Sequence, residues 1–145
     1  MESIMNHTEP PWMKHALEQV CHILFHSNTG LVYDYVTSRD PARRFDHLPA
    51  PEEIALAFPN PCGWSTGMED CALNGGFLLD LMRFRGEEDS EFANQAATGL
   101  IRCGDIHGIR GFVARGISPV DGRSCYSNSS RDQFTLAAYG MWRFL

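Results

Sequence analysis

The chain has 145 residues, of which 43% are hydrophobic and 21% are charged, a composition typical of one globular domain. Its net charge of −6 at pH 7 argues against nucleic acid and anionic membranes as partners, because both attract a basic surface. No apolar run approaches the length of a membrane span, and the amino terminus lacks the basic and apolar regions of a secretion signal.

The cysteines and histidines form no recognisable site. The five cysteines are widely spaced and contain no C-x-x-C pair, so neither a zinc knuckle nor a redox pair is predicted. The six histidines form no ligand cluster, and no glycine-rich phosphate loop or G-x-S-x-G elbow is present. We therefore expect free thiols, no metal, no cofactor and a cytoplasmic location.

Hydrophobic periodicity and capping signals predict four helices, at about residues 11–26, 68–85, 90–104 and 131–145. The first and third are amphipathic, whereas the second and fourth are apolar on most faces. The second contains Gly75-Gly76, and each glycine there costs roughly 1 kcal/mol relative to alanine. This pair indicates that another backbone packs closely against the second helix.

Long polar loops precede the second and fourth helices, at about residues 31–67 and 109–129. The first loop contains a short strand candidate near its start and one or two helical turns at about residues 50–56. In the second loop, residues 111–117 are typical of a strand, and a turn at Asp121-Gly122 follows. The second loop is therefore predicted to form a small β-hairpin.

The order of helices and loops predicts the relative directions of the helices. A short turn joins the second and third helices, and short turns connect antiparallel neighbours. The two apolar helices should then run parallel, with both long loops at their N-terminal ends. The predicted fold is all-α: two αα-hairpins with a small β-hairpin in a long loop.

Both apolar helices begin with the same arrangement of residues. Thr66-x-x-Glu69 and Ser130-x-x-Gln133 fit the reciprocal capping box, and acids lie beside them at Asp70 and Asp132. Helix N-termini present free N–H groups, which stabilise carboxylates. We therefore expect the functional site at the shared N-terminal end of these two helices.

Two stretches of the chain resemble segments of six-hairpin glycosidase-like proteins, a superfamily that includes unsaturated glucuronyl hydrolases. They are Gly-Trp-Ser-Thr-Gly-Met-Glu-Asp at residues 63–70, and Arg-Gly-Ile-Ser-Pro at 115–119 continuing to Ser-Ser-Arg-Asp-Gln at 129–133. The resemblance implies part of an (α/α)6 toroid, about two of its six hairpins. It also implies a carbohydrate-binding cleft at the toroid mouth, where acids perform the chemistry.

Asp132 is the first candidate catalytic residue, as an acid/base. The helix N-terminus keeps a carboxylate there ionised, although an acid in a first turn also simply stabilises the helix dipole, by roughly 0.3–1 kcal/mol. Asp70 is its candidate partner, because glycoside hydrolysis requires two carboxyl groups. Glu69 has a sufficient alternative role as the third-position member of its capping box.

Four residues are candidate substrate-binding groups: Arg131, Arg115, Trp64 and Tyr126. The arginines could hold an anionic sugar, and loop aromatics suit stacking on a sugar face. Solvated arginines and aromatics packed on the core are the alternatives. We expect a glycoside hydrolase-like protein that acts on an oligosaccharide, and an oligosaccharide that contains a uronic acid is a candidate substrate.

The alternative function is a non-catalytic fragment or carbohydrate-binding module. Two observations favour this alternative. The fourth predicted helix is apolar on nearly all its faces, and two hairpins are too few to close a ring of six. Such a helix is typical of an oligomer interface or of the cut edge of a larger domain. This alternative predicts a homo-oligomer that associates through the fourth helix.

Overall fold

A computed structural model describes residues 10–145, which are mostly helical with one small antiparallel sheet. The elements in chain order are α1 (Pro11–Gln19), a π-helical turn (Val20–Leu24), β1 (Phe25–His26), β2 (Leu31–Val32), a 3-10 turn (Pro41–Arg43), α2 (Pro51–Ala55), α3 (Cys71–Arg85), α4 (Glu91–Asp105) and α5 (Arg131–Phe144). The four predicted helices are confirmed, with two shifts. The first becomes a strand at Phe25, and the second begins at Cys71 rather than near residue 68.

The β-hairpin is at a different place from the one predicted. β1 and β2 pair antiparallel, Phe25 with Val32 and His26 with Leu31. At the end of their turn Gly30 has φ +70°, and a Cβ there would lie 2.2 Å from the carbonyl oxygen of Gln95, so only glycine fits.

The prediction of a hairpin within residues 109–129 is wrong. This part of the described chain contains no strand: Ser118 N–H donates to the Ser124 carbonyl across the turn, but residues 114 and 115 bond to helices. Ala114 N–H donates to the carbonyl of Cys103 in α4, and the Arg115 carbonyl accepts from Ala72 in α3. The extended segment therefore joins two helices rather than forming half of a ladder.

The apolar helices α3 and α5 run parallel, as the chain order predicts. Leu73 near the start of α3 is bonded to Gln133 near the start of α5. Asp80, further along α3, pairs with Arg143 near the end of α5. A contact near the start of α3 is thus made with the start of α5, and a later one with its end. The N-terminal ends of the two helices therefore lie side by side.

The two central glycines of α3 allow a neighbour to approach on each side. A Cβ on Gly76 would lie 2.1 Å from the carbonyl oxygen of Leu136, and one on Gly140 would lie 2.3 Å from that of Gly76. A Cβ on Gly75 would lie 2.9 Å from the side chain of Leu100 in α4. The prediction that another backbone packs against this pair is confirmed for Gly76.

The long loops contribute large side chains to the core beside those of α3. The fully buried large residues include Tyr33, Met68, Ile117 and Tyr126 from loops and Leu79 and Met82 from α3. On the side of α5 that faces α3, Ala137 and Gly140 are buried. Trp142 of α5 is 73% exposed, and Leu145, directly after the helix, is 94% exposed.

None of the helices in residues 10–145 is both long enough and apolar enough to cross a membrane. All five cysteines are free thiols, as expected from their spacing.

Candidate functional site

Five side chains meet where α3 begins, beside the first turn of α5. We call Asp34, Glu69, Asp70, Arg115 and Gln133 the Asp70 cluster. Its members come from the segment after β2, the turn before α3, the second long loop and α5. Long-range hydrogen bonds connect them, so the cluster exists only in the folded chain.

Glu69 closes a turn that precedes α3. Its Oε1 accepts from the N–H of Ser65 at 3.0 Å, and its Oε2 accepts from Gly67 at 2.9 Å. Thr66 Oγ1 accepts from Met68 N–H at 3.4 Å. The predicted Thr66-x-x-Glu69 capping box is wrong, because Glu69 N–H donates to Asp34 Oδ2 and Thr66 N–H donates to the Gly63 carbonyl. The helix itself starts later, at Cys71. The Glu69 carboxylate stabilises this turn through Ser65 and Gly67 and does not have the capping-box role considered for it.

Asp34 accepts hydrogen bonds from the backbone of the two residues that precede α3. Its Oδ2 accepts from the N–H groups of Glu69 at 3.1 Å and Asp70 at 3.3 Å, and its Oδ1 accepts from Asn74 Nδ2 at 2.9 Å. Burial, followed by the nearby charges of Glu69 and Asp70, raises the pKa of the Asp34 carboxyl to about 7. Asp34 is not among the residues predicted from the sequence, because no local pattern indicates an acceptor that lies 35 and 36 positions before its donors.

Gln133 connects the two helices. It is fully buried, its Oε1 accepts from Leu73 N–H at 3.0 Å, and its Nε2 donates to Asp70 Oδ1 at 2.7 Å and to the Glu69 carbonyl at 3.1 Å. The prediction that Gln133 completes a capping box with Ser130 is wrong, since its polar atoms bond to α3 and the turn before it. The side chain of Ser130 makes no capping hydrogen bond.

Arg115 places a buried positive charge against the acids. Its side chain is 7% exposed, and Nη1 donates to the Glu69 carbonyl at 3.2 Å and lies 3.8 Å from Asp70 Oδ1. Its Nε is buried with no hydrogen-bond partner among the described residues. The predicted substrate-binding arginine therefore holds the Asp70 carboxylate from the inner side.

The two predicted catalytic carboxylates both reach solvent. The side chain of Asp70 is 46% exposed and that of Asp132 is 63% exposed. Asp132 precedes Gln133, the residue that bonds to Asp70, so both acids lie at the same end of the helix pair. Arg131 is 92% exposed at its side chain, with Nε 3.6 Å from Asp132 Oδ1.

The two predicted aromatic contacts differ in their surroundings. The Trp64 side chain is exposed, with 60% of the residue accessible, while its backbone N–H donates to Asn60 Oδ1 at 3.0 Å. Tyr126 is 2% exposed, and its hydroxyl donates to the carbonyl of Phe58. Its ring covers Gly63, where a Cβ would lie 2.3 Å from the ring. The structure therefore leaves Trp64 open to a ligand and encloses Tyr126.

Within residues 10–145, no group of three or more His, Cys, Asp and Glu side chains could hold a metal ion. Cys125 Sγ lies 3.5 Å from His107 Nε2. Burial, with a smaller effect of Asp121, raises the pKa of the Cys125 thiol, so this pair lacks the lowered pKa of a reactive cysteine.

Comparisons of the chain with protein-family models, with curated proteins and with solved structures gave no match. The resemblance to six-hairpin glycosidase-like proteins therefore stays a prediction from the sequence, and function has to be judged from the site itself.

Proposed function

We propose that the shared N-terminal end of α3 and α5 is the acid/base site of a glycoside hydrolase-like protein that acts on an oligosaccharide. Asp132 would be the acid/base and Asp70 its partner carboxylate. The observation that carries this proposal is the setting of Asp70. Its half-exposed carboxylate is bonded by Gln133 at 2.7 Å and faced by Arg115 at 3.8 Å. A carboxylate held by buried donors on one side and open on the other is oriented toward a substrate.

The remaining residues have two kinds of role in this proposal. Arg131 and Trp64 are exposed and would contact the sugar, the arginine by a bidentate bond to a uronic acid carboxylate and the tryptophan by stacking. Arg115 and Asp34 are positioning residues, because their bonds hold the turn that carries Asp70.

The parallel arrangement of α3 and α5 supports the proposed place of this chain in an (α/α)6 toroid. Parallel inner helices bring their N-terminal loops to one end, where a toroid has its cleft. In this proposal the two hairpins form about a third of the ring and present the Asp70 cluster at its mouth.

The test is hydrolysis of a panel of oligosaccharides with and without uronic acids. Asp132→Asn and Asp70→Asn should each lower kcat by about 10²-fold or more, since acid/base groups contribute roughly 10²–10⁴-fold. Asp105→Asn is the matched control, because Asp105 is an exposed acid at the end of α4. Parent-like rates in both site variants would remove the catalytic role of the cluster.

The second candidate function is a non-catalytic module that self-associates through α5. It is favoured by the exposed Tyr139 and Trp142, whose ring centroids lie 6.2 Å apart on the outer side of that helix. Light scattering after size exclusion should then show a dimer or larger oligomer that Trp142→Gln converts to a monomer. Trp12→Gln is the control, because Trp12 is similarly exposed at 68% on α1. A monomer at all concentrations contradicts this function.

A further inference from the structure

A groove of about 620 Å³ lies between the first helical segment and the loop that follows β2. On the loop side it is lined by Thr37, Ser38, Arg39 and Arg44, and on the helix side by His15. We call this the cationic groove. We propose that it binds the phosphate group of a small molecule. It shares no residue with the Asp70 cluster, so the proposal is independent of the proposed function.

The charge of the cationic groove is uncompensated. Neither Arg39 nor Arg44 forms an ion pair within residues 10–145, and the groove lining includes no carboxylate. The intervening Arg43, in contrast, pairs with Asp46 at 3.2 Å. In a chain of net charge −6, two arginines without acidic partners at one groove favour an anionic ligand.

Arg44 is oriented by a hydrogen bond to the protein backbone. Its Nη1 donates to the carbonyl of His22 in the π-helical turn, which holds the guanidinium at the groove. Its Nε is buried and has no hydrogen-bond partner among the described residues. An unpaired buried donor is costly, and a ligand oxygen relieves that cost only if it bonds to Nε itself.

The other lining groups suit the same ligand. Ser38 Oγ accepts from the N–H of Asp40 at 3.1 Å, which leaves its hydroxyl proton free to donate. Thr37 offers a second hydroxyl, and guanidinium groups bind phosphate oxygens in a bidentate manner. Ile23 and Val36 give the groove an apolar flank on which the body of a phosphate ester can lie.

The test is calorimetric titration of the whole chain with inorganic phosphate and with phenyl phosphate at low ionic strength. Arg39→Gln and Arg44→Gln should each weaken phosphate binding by about tenfold or more, because hydrogen bonds to charged groups are strong. Arg123→Gln is the matched control. Arg123 is also exposed and without an ion pair in the described chain, and it lies outside the groove. Binding to this control variant should equal that of the parent.

Two results overturn the proposal: no saturable binding of either phosphate, or equal weakening by Arg123→Gln, which would show attraction to overall charge only. Tighter binding of phenyl phosphate assigns the site to an ester, and equal binding assigns it to free phosphate; both support the proposal. Should Arg44→Gln unfold, as circular dichroism would reveal, Arg39→Gln decides alone, because Arg39 is exposed and its replacement leaves the fold intact.

Discussion

Gln133 Nε2 donates a 2.7 Å hydrogen bond to Asp70 Oδ1, and this bond joins the first turn of α5 to the residue that precedes α3. The same side chain accepts from Leu73 N–H, one of the free donors at the start of α3. One buried amide therefore both caps a helix and orients a candidate catalytic carboxylate. Stability and site geometry depend on the same contact.

Gln133→Met should lower the free energy of unfolding by about 1–3 kcal/mol, because it leaves the part-buried Leu73 N–H without its acceptor at nearly unchanged side-chain volume. Urea denaturation measures the loss. Thr135→Ala on the exposed side of α5 is the control and should stay within about 0.5 kcal/mol of the parent. A parent-like midpoint for Gln133→Met would contradict the assigned capping role.

Gly76→Ala and Gly104→Ala should have opposite effects on stability. The new Cβ at Gly76 would lie 2.1 Å from the Leu136 carbonyl oxygen and must push α3 and α5 apart, at a cost of about 1–3 kcal/mol or more. At Gly104 in α4 nothing lies within 4 Å, so alanine should stabilise by about 0.5–1 kcal/mol through helix propensity. Thermal unfolding compares them, and equal shifts in Tm would show that the close helix contact is not made.

Asp34 should make stability fall as pH rises from about 4 to about 7. Burial raises the pKa of its carboxyl in the folded state to about 7, whereas the pKa of an aspartate in the unfolded chain is about 3.9. Between these values the folded state binds more protons than the unfolded state, so folding is penalised as pH rises and the full penalty is present above about 7. Asp34→Asn keeps an oxygen acceptor for the Glu69 and Asp70 N–H groups.

The difference in unfolding free energy between Asp34→Asn and the parent, measured from pH 4 to 8, isolates this titration from those of other carboxyls. The variant should gain stability relative to the parent as pH rises through this window. A difference that does not vary with pH would place the Asp34 pKa at its ordinary value.

Trp64 should contact the ligand, whereas Tyr126 should contribute only to stability. Trp64→Ala should leave stability within about 0.5 kcal/mol of the parent and weaken oligosaccharide binding, because the ring is exposed. Tyr126→Phe should cost about 0.5–1.5 kcal/mol, because its buried hydroxyl bonds to the Phe58 carbonyl, and leave binding unchanged. Titration of each variant with the substrate oligosaccharide, beside urea denaturation, checks both. The reverse pattern would exchange the two roles.

Several features of the fold follow from local sequence alone. Helical periodicity predicted all four helices. The short turn between the second and third helices predicted that the apolar helices, α3 and α5, run parallel. The cost of Gly75-Gly76 within a helix indicated close packing, which Gly76 and Leu136 show. These features depend on residues within a few positions of one another, or on the length of a single connection, and both can be read from the chain.

Only the tertiary structure determines which groups form hydrogen bonds with the residues at the helix N-termini. In a capping box, the hydrogen-bond partners at a helix N-terminus lie three residues apart in the sequence. Here the acceptor for the Asp70 N–H is Asp34, 36 positions earlier, and the donor to the Asp70 carboxylate is Gln133, 63 positions later. An N–H group donates to whichever acceptor lies at hydrogen-bond distance once the core has formed, and sequence spacing does not encode that distance. The sequence by itself therefore determined where the helices are and that their acidic ends meet, whereas packing alone determined which side chains hold Asp70.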